Sequence, residues 1–265
     1  MTPEWLMAFT AGALLGYGVW ESFQVRLQRY TIANAKVPAT RNPLRIAHLS
    51  DLHLSRFGYK ERRAVALIAQ WRPHCIALTG DVTAWRRALP AVQEFFRALT
   101  AIAPVYAVEG NAEAANALTE TLATLLRRCG GYWLRNEAVP FGDGVWVAGT
   151  DDPHRHRADA AKALASVPDD AFCVLLTHSP DIIVQPAALK ADLILCGHTH
   201  GGQIRLPFIG ALYIRARRIP RRYAWGCHPL PNGTVLITTC GVGTTRLPLR
   251  FFCPPEVVGV AVQSP

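Results

Sequence analysis

Short apolar runs follow one another along this chain, and each is closed by a side chain of the kind that binds metals. LRIAHLS leads to Asp51 and His53, CIALTG to Asp81, VYAVEG to Asn111, CVLLT to His178, and LILCG to His198 with His200. Runs of this length read as buried strands. Between them, apolar positions recur at helical spacing across KERRAVALIAQW (60–71), near 86–100, and from about Glu113 to Arg128. Strand and helix in alternation give an α/β plan with sheets covered on their faces. VWVAGT (145–150) and TVLITTCG (234–241) extend the strand set with fewer helices between. Side chains just beyond strand ends collect at one rim, so the pattern confines the chain to folds that gather acids, an amide and imidazoles in one place.

Those donors have a chemistry in common. Asp51 and His53 stand two residues apart, where alternate side chains point the same way and grip one ion. A carboxylate at Asp81 can bridge two cations and hold them roughly 3.5 to 4 Å apart. Asn111 adds a neutral oxygen, and His178, His198 and His200 complete two shells of mixed nitrogen and oxygen. Such a donor set suits manganese, iron or zinc better than calcium. The expectation is two divalent metal ions and, from them, hydrolysis at phosphorus.

The 265 residues suffice for a full-sized core, and half of them are apolar, which excludes wholesale disorder. A net charge of +9 points to acidic partners, either phosphate groups or an anionic membrane surface. None of the seven cysteines forms a C-x-x-C pair, and Cys75, Cys173, Cys196 and Cys240 sit in strand-like runs, as expected in a reducing compartment. Three segments are expected: an N-terminal anchor helix in residues 1–29, a linker over 30–43 (YTIANAKVPATRNP), and one catalytic domain over 44–265. The anchor rests on WLMAFTAGALLGYGVW (5–20), which is uncharged but just short of the roughly 17 to 25 residues that span a bilayer. No basic stretch precedes it and no small-residue cleavage site follows, so an uncleaved anchor is expected rather than a signal peptide. Arg26, Arg29 and Lys36 lie downstream, which places the catalytic domain on the cytoplasmic face of an inner membrane. The alternative is a helix docked on the domain.

Between Arg205 and Trp225, Arg215, Arg217, Arg218, Arg221 and Arg222 are interleaved with Tyr213, Tyr223 and Trp225. Arginines direct donors at phosphate and aromatics favour a bilayer interface, so these five are expected to bind a phosphorylated lipid or nucleotide-lipid substrate at a membrane surface. Nucleic acid, which such a segment also suits, ranks lower beside an apolar N-terminus. A plain solvated basic loop is the other reading.

Taken in order, Asp51-Leu52-His53, Gly80-Asp81, Gly110-Asn111-Ala112-Glu113, His178 and Gly197-His198-Thr199-His200 resemble the motifs of the calcineurin-like metallophosphoesterase family. The likeness covers about residues 44–260. It implies a central β-sandwich flanked by helices, with both metals at the strand-end rim and an activated water attacking phosphorus in line. It also implies the ligand sets: Asp51, His53, Asp81 and His200 for one ion, and Asp81, Asn111, His178 and His198 for the other. Asp81, Asn111 and His198 are the residues it ties most directly to the reaction. GHTHGGQ (197–203) and the stretch from Gly241 to Glu256 are similar to a membrane-associated bacterial branch of the family, which implies a substrate such as UDP-2,3-diacylglucosamine of lipid A biosynthesis. One position departs: the family has histidine after the asparagine, and here stands Ala112. Loss of a proton donor favours diphosphate cleavage, where the leaving group has a pKa of about 6 and needs none. His154 or His156 could replace it. A phosphodiesterase or phosphatase of soluble substrates, and a weakly catalytic lipid-phosphate-binding protein, are the competing expectations.

Overall fold

The computed structural model of the protein describes residues 3–216 and 218–265. Helix α1 (Pro3–Glu21) precedes strands β1 (Arg26–Ala33) and β2 (Leu44–Leu49). Helix α2 (Tyr59–Trp71) leads into β3 (Cys75–Thr79), α3 (Leu89–Thr100) into β4 (Val105–Val108), and the short α4 (Asn111–Ala115) with α5 (Thr119–Arg128) into β5 (Tyr132–Trp133). Then come β6 (Glu137–Gly142), β7 (Val145–Gly149), α6 (Ala160–Leu164), β8 (Phe172–Leu176) and β9 (Leu193–Cys196). A small hairpin of β10 (Arg205–Leu206) and β11 (Gly210–Ala211) is followed by β12 (Gly226–Pro229), β13 (Val235–Thr238) and β14 (Glu256–Gln263).

Two six-stranded mixed sheets result, ordered β1-β14-β2-β3-β4-β5 and β12-β13-β9-β8-β7-β6. Strands β2 to β5 run parallel in the first, and β7, β8, β9 and β13 in the second. Alternation along each strand builds the layers. Ile46, Cys75, Ala77, Val147, Val174 and Leu195 pack between the sheets. Their neighbours Ala47, Ile76 and Leu78 face outward onto α2, α3 and α5, through Leu67, Ile68, Phe95, Phe96 and Leu122. On the other sheet Ala148, Leu175 and Ile194 meet Ala160 and Ala163 of α6. This is an α/β sandwich with helices on both outer faces. In it, the C-terminal ends of the parallel strands form a rim, the place where open α/β sheets hold ligands.

Three expectations change. The linker over 30–43 is only partly one: residues 26–33 form β1, an edge strand paired in parallel with β14, and Tyr30 and Ile32 pack against the inter-sheet core. Its alternating polar and apolar residues, RLQRYTIA, are what a half-covered edge accommodates, so the sheet begins before residue 44. The single helix expected from Glu113 to Arg128 is broken into α4 and α5 around Ala117, whose φ is +50°. The third concerns the N-terminus. Helix α1 forms, but among the described residues no helix is long and apolar enough to cross a membrane. Its last turns dock on the domain: Arg250 donates its N–H to the Gly18 carbonyl at 2.9 Å, Tyr17 packs edge-on against Phe251, and Glu21 accepts from the Cys253 N–H at 3.1 Å. Met7, Phe9, Leu14, Leu15 and Trp20 remain exposed.

Candidate metal centre

Each expected ligand lies within a few residues of a strand end, and the backbone there is bent sharply. Asp51, His53, Asp81, His198 and His200 all have φ between +44° and +70°. Non-glycine residues rarely take that conformation, which costs on the order of 1–3 kcal/mol each and clusters at functional sites. Glycines let the bends approach one another. Gly80 has φ +84°, and a side chain on it would strike the Gly110 backbone and the His178 ring; one on Gly197 would strike Ser50 and Asp51.

The bends bring all seven expected ligands together. His53 Nε2 and His200 Nε2 stand 3.2 Å apart with their rings stacked, and Asp51 Oδ1 lies 3.5 Å from His200 Nε2. On the other side His178 Nε2 lies 3.2 Å from Asn111 Oδ1, 3.1 Å from His198 Nδ1 and 3.4 Å from Asp81 Oδ1. Asp81 joins the halves, because its Oδ2 is 3.6 Å from His53 Nε2 while Oδ1 faces His178. Asp51, His53 and His200 make one group with metal-ligand spacing, and Asp51, Asp81 and His178 make a second, so Asp51 reaches both.

The donor set fits cations on the structure's own chemistry. Asp51 and Asp81 are fully buried, and among the described residues their ion-pair partners are only histidines. Buried carboxylate charge left uncompensated is costly. Burial, reinforced by Asp81, accordingly lifts the Asp51 carboxyl above its ordinary range. At His178 burial works against the charged ring, but Asp81 and Asp51 outweigh it and raise it to about 9, so a cation bound at Nε2 would displace a proton there. Burial, then neighbouring cationic groups, holds His198 and His200 well below the ordinary imidazole range, neutral and able to donate lone pairs. Asp51 Oδ1, His198 Nε2 and His200 Nδ1 are buried without a hydrogen-bond partner among the described residues. His178 has its other nitrogen, Nδ1, 2.8 Å from the Thr79 carbonyl, which fixes the tautomer that leaves Nε2 free to ligate. Bound there, divalent ions supply Lewis acidity and an activated water.

Glu113, quoted in the motif but given no task, turns out to be a positioning residue. Its buried carboxylate accepts the N–H groups of Asp81 and Gly110, each at 3.1 Å, and that of Val82. One side chain thereby ties the Asp81 bend to the turn that carries Asn111. A glutamate three residues into the α4 turn was the available signal. Ala112 donates its own N–H to Asp81 Oδ1 at 2.7 Å, so the backbone at this position still serves the centre. Of the two proposed stand-ins, His154 is the one beside it: its ring centroid lies 3.9 Å from that of His198.

The basic segment is brought to the centre only in part. Arg215 lines the cleft of about 400 Å3 over Asn111 and His198, together with Arg155 and Arg246. Arg221 donates to the Ala211 carbonyl at 2.6 Å, and Arg222 lies over the Tyr223 ring and donates to its hydroxyl, so both are spent on local structure. Arg218 lines a separate cavity with His156 and Asp181. Arg217 lies outside the described residues. Arg246, exposed and outside the basic run, is the arginine that sequence reading missed; only the folding back of the 244–247 turn reveals it.

The model of the family described as calcineurin-like phosphoesterase matches residues 44–202. A metallophosphoesterase of Aquifex aeolicus is 31% identical over 97% of this chain and 98% of its own length. The metallophosphoesterase YkuE of Bacillus subtilis is 29% identical over 97% and 92%. The phosphodiesterase YaeI of Escherichia coli is 29% identical over 81% and 80%.

Proposed function

The chain belongs to the calcineurin-like phosphoesterase family, a hydrolase of phosphoester bonds with a centre for two divalent metals, and on that premise we propose that it cleaves a phosphodiester or diphosphate bond in a membrane-associated lipid such as UDP-2,3-diacylglucosamine. Asp51, His53, Asp81 and His200 hold one ion and Asp81, Asn111, His178 and His198 the other, with Asp81 shared. The observation that carries this reading is the division of the two Asp81 oxygens between His53 and His178.

The substrate is inferred from what surrounds that centre. Arg155, Arg215 and Arg246 line the cleft beside it, a setting for more than one phosphate. Ala112 offers no proton donor, which suits a leaving group that is itself a phosphate. The GHTHGGQ motif (197–203) and the exposed apolar residues of α1 support the membrane-associated branch, with α1 resting on the cytoplasmic face of the membrane. His154 beside His198 favours a second reading, simple phosphodiesters with alkoxide leaving groups, and the relative named phosphodiesterase agrees with it.

Turnover of UDP-2,3-diacylglucosamine in mixed micelles, measured against that of an alkyl phosphodiester with the manganese-loaded protein, separates the two. Preference for the diphosphate is expected. Preference for the alkyl ester, lost in His154→Ala, would establish the second reading.

A further inference from the structure

We propose that the groove walled by Ile204, Leu212 and Leu247 is a subsite for an alkyl or acyl chain carried by the substrate whose phosphate lies at the metal centre. The inference rests on reading the centre as a phosphoester hydrolase and deepens it.

The groove measures about 200 Å3 and reaches the metal ligand His200. Tyr213, Arg215 and Arg246 line both this groove and the polar cleft over Asn111 and His198. A single wall therefore separates two environments. Arg215 and Arg246 border the cleft, and among the described residues neither forms an ion pair. Guanidinium groups take phosphate oxygens. On the groove side Ile204, Leu212 and Leu247 make the wall chiefly apolar, with Thr199, Gln203 and Thr245 among them. An amphiphile with its anionic end in the cleft and its chain in the groove satisfies both sides at once, whereas a fully polar substrate leaves the apolar wall in water.

The route to the groove is apolar as well. Ile204 and Leu212 stand at the base of the β10–β11 hairpin, where the Leu212 N–H bonds the Ile204 carbonyl, and the hairpin tip bears Phe208 and Ile209, both exposed. Phe251 bridges to Ile204 and packs on Tyr17, which ties the last turns of α1 to the base of the hairpin. Exposed apolar side chains beside a groove, here Phe208 and Ile209, mark a place where an apolar ligand or phase makes contact.

The test uses n-alkylphosphonates from one to twelve carbons, below their micellar concentrations, titrated into the manganese-loaded full chain by calorimetry. Affinity is expected to rise by about two- to fourfold per methylene and then level off once the groove is filled. Leu212→Ser and Leu247→Ser, both at exposed positions, should flatten the series while leaving methylphosphonate binding and hydrolysis of bis(p-nitrophenyl) phosphate unchanged. An affinity independent of chain length, or a rise that both variants retain, overturns the subsite. Failure of the unaltered protein to hydrolyse bis(p-nitrophenyl) phosphate at all would instead count against the reading of the centre.

Discussion

Glu113 shows how much of a metal centre is set by a residue that touches no metal. Three backbone N–H groups converge on its carboxylate, and two of them belong to the bends that present Asp81 and Asn111. Glu113→Ala leaves those donors buried and unpaired, at about 1–3 kcal/mol each. It should also weaken manganese binding by roughly 10- to 100-fold, the range seen when groups that orient ligands are removed. Calorimetric titration and thermal melts would measure the two effects; unchanged affinity would mean that the bends hold their shape alone. The seven donors that the fold brings together were legible from spacing because chemistry restricts which residues suit a cation. Glu113 and Arg246 were not, since one acts through backbone hydrogen bonds and the other reaches the cleft from a distant turn.

Strands β2 and β3 carry a buried histidine–threonine pair behind the centre. His48 Nε2 lies 2.8 Å from the Thr79 hydroxyl, and burial lowers its pKa from the ordinary 6.5 to about 3. Between those two values the unfolded chain binds a proton that the folded chain refuses. The contribution of His48 is thus fully present above about pH 6.5, and it is lost as pH falls toward 3, by at most about 1.4 kcal/mol per pH unit. In His48→Gln, whose amide can keep a bond to Thr79, the loss of stability between pH 7.5 and 5 should shrink. Denaturant melts at both values decide it, and an equal loss in both proteins refutes it. Central strands such as these were readable as near-continuous apolar runs. The edge strand β1 was not, because half-exposed positions admit Gln, Arg and Thr and so imitate a connecting segment.

At the scale of the whole molecule, the two sheets meet at a rim that concentrates buried negative charge from Asp51 and Asp81. Ions bound to the folded state alone stabilise it, each by about 2.7 kcal/mol at a hundredfold excess over Kd. Chelation with EDTA should therefore lower Tm by several degrees, and manganese should restore it; a Tm indifferent to both would show that the carboxylates need no cation. The α/β sandwich itself followed from alternating strand and helix patterns. The docking of α1 did not, since an apolar stretch looks the same whether it packs on protein or meets lipid. A last consequence lies in how the rim is assembled. The seven gathered donors follow strand ends of both sheets, whereas the groove beside them is walled in large part by the base of a short hairpin and by one surface turn. Replacing residues of that hairpin and turn would reshape the groove while leaving the strand ends, and the donors they carry, in place.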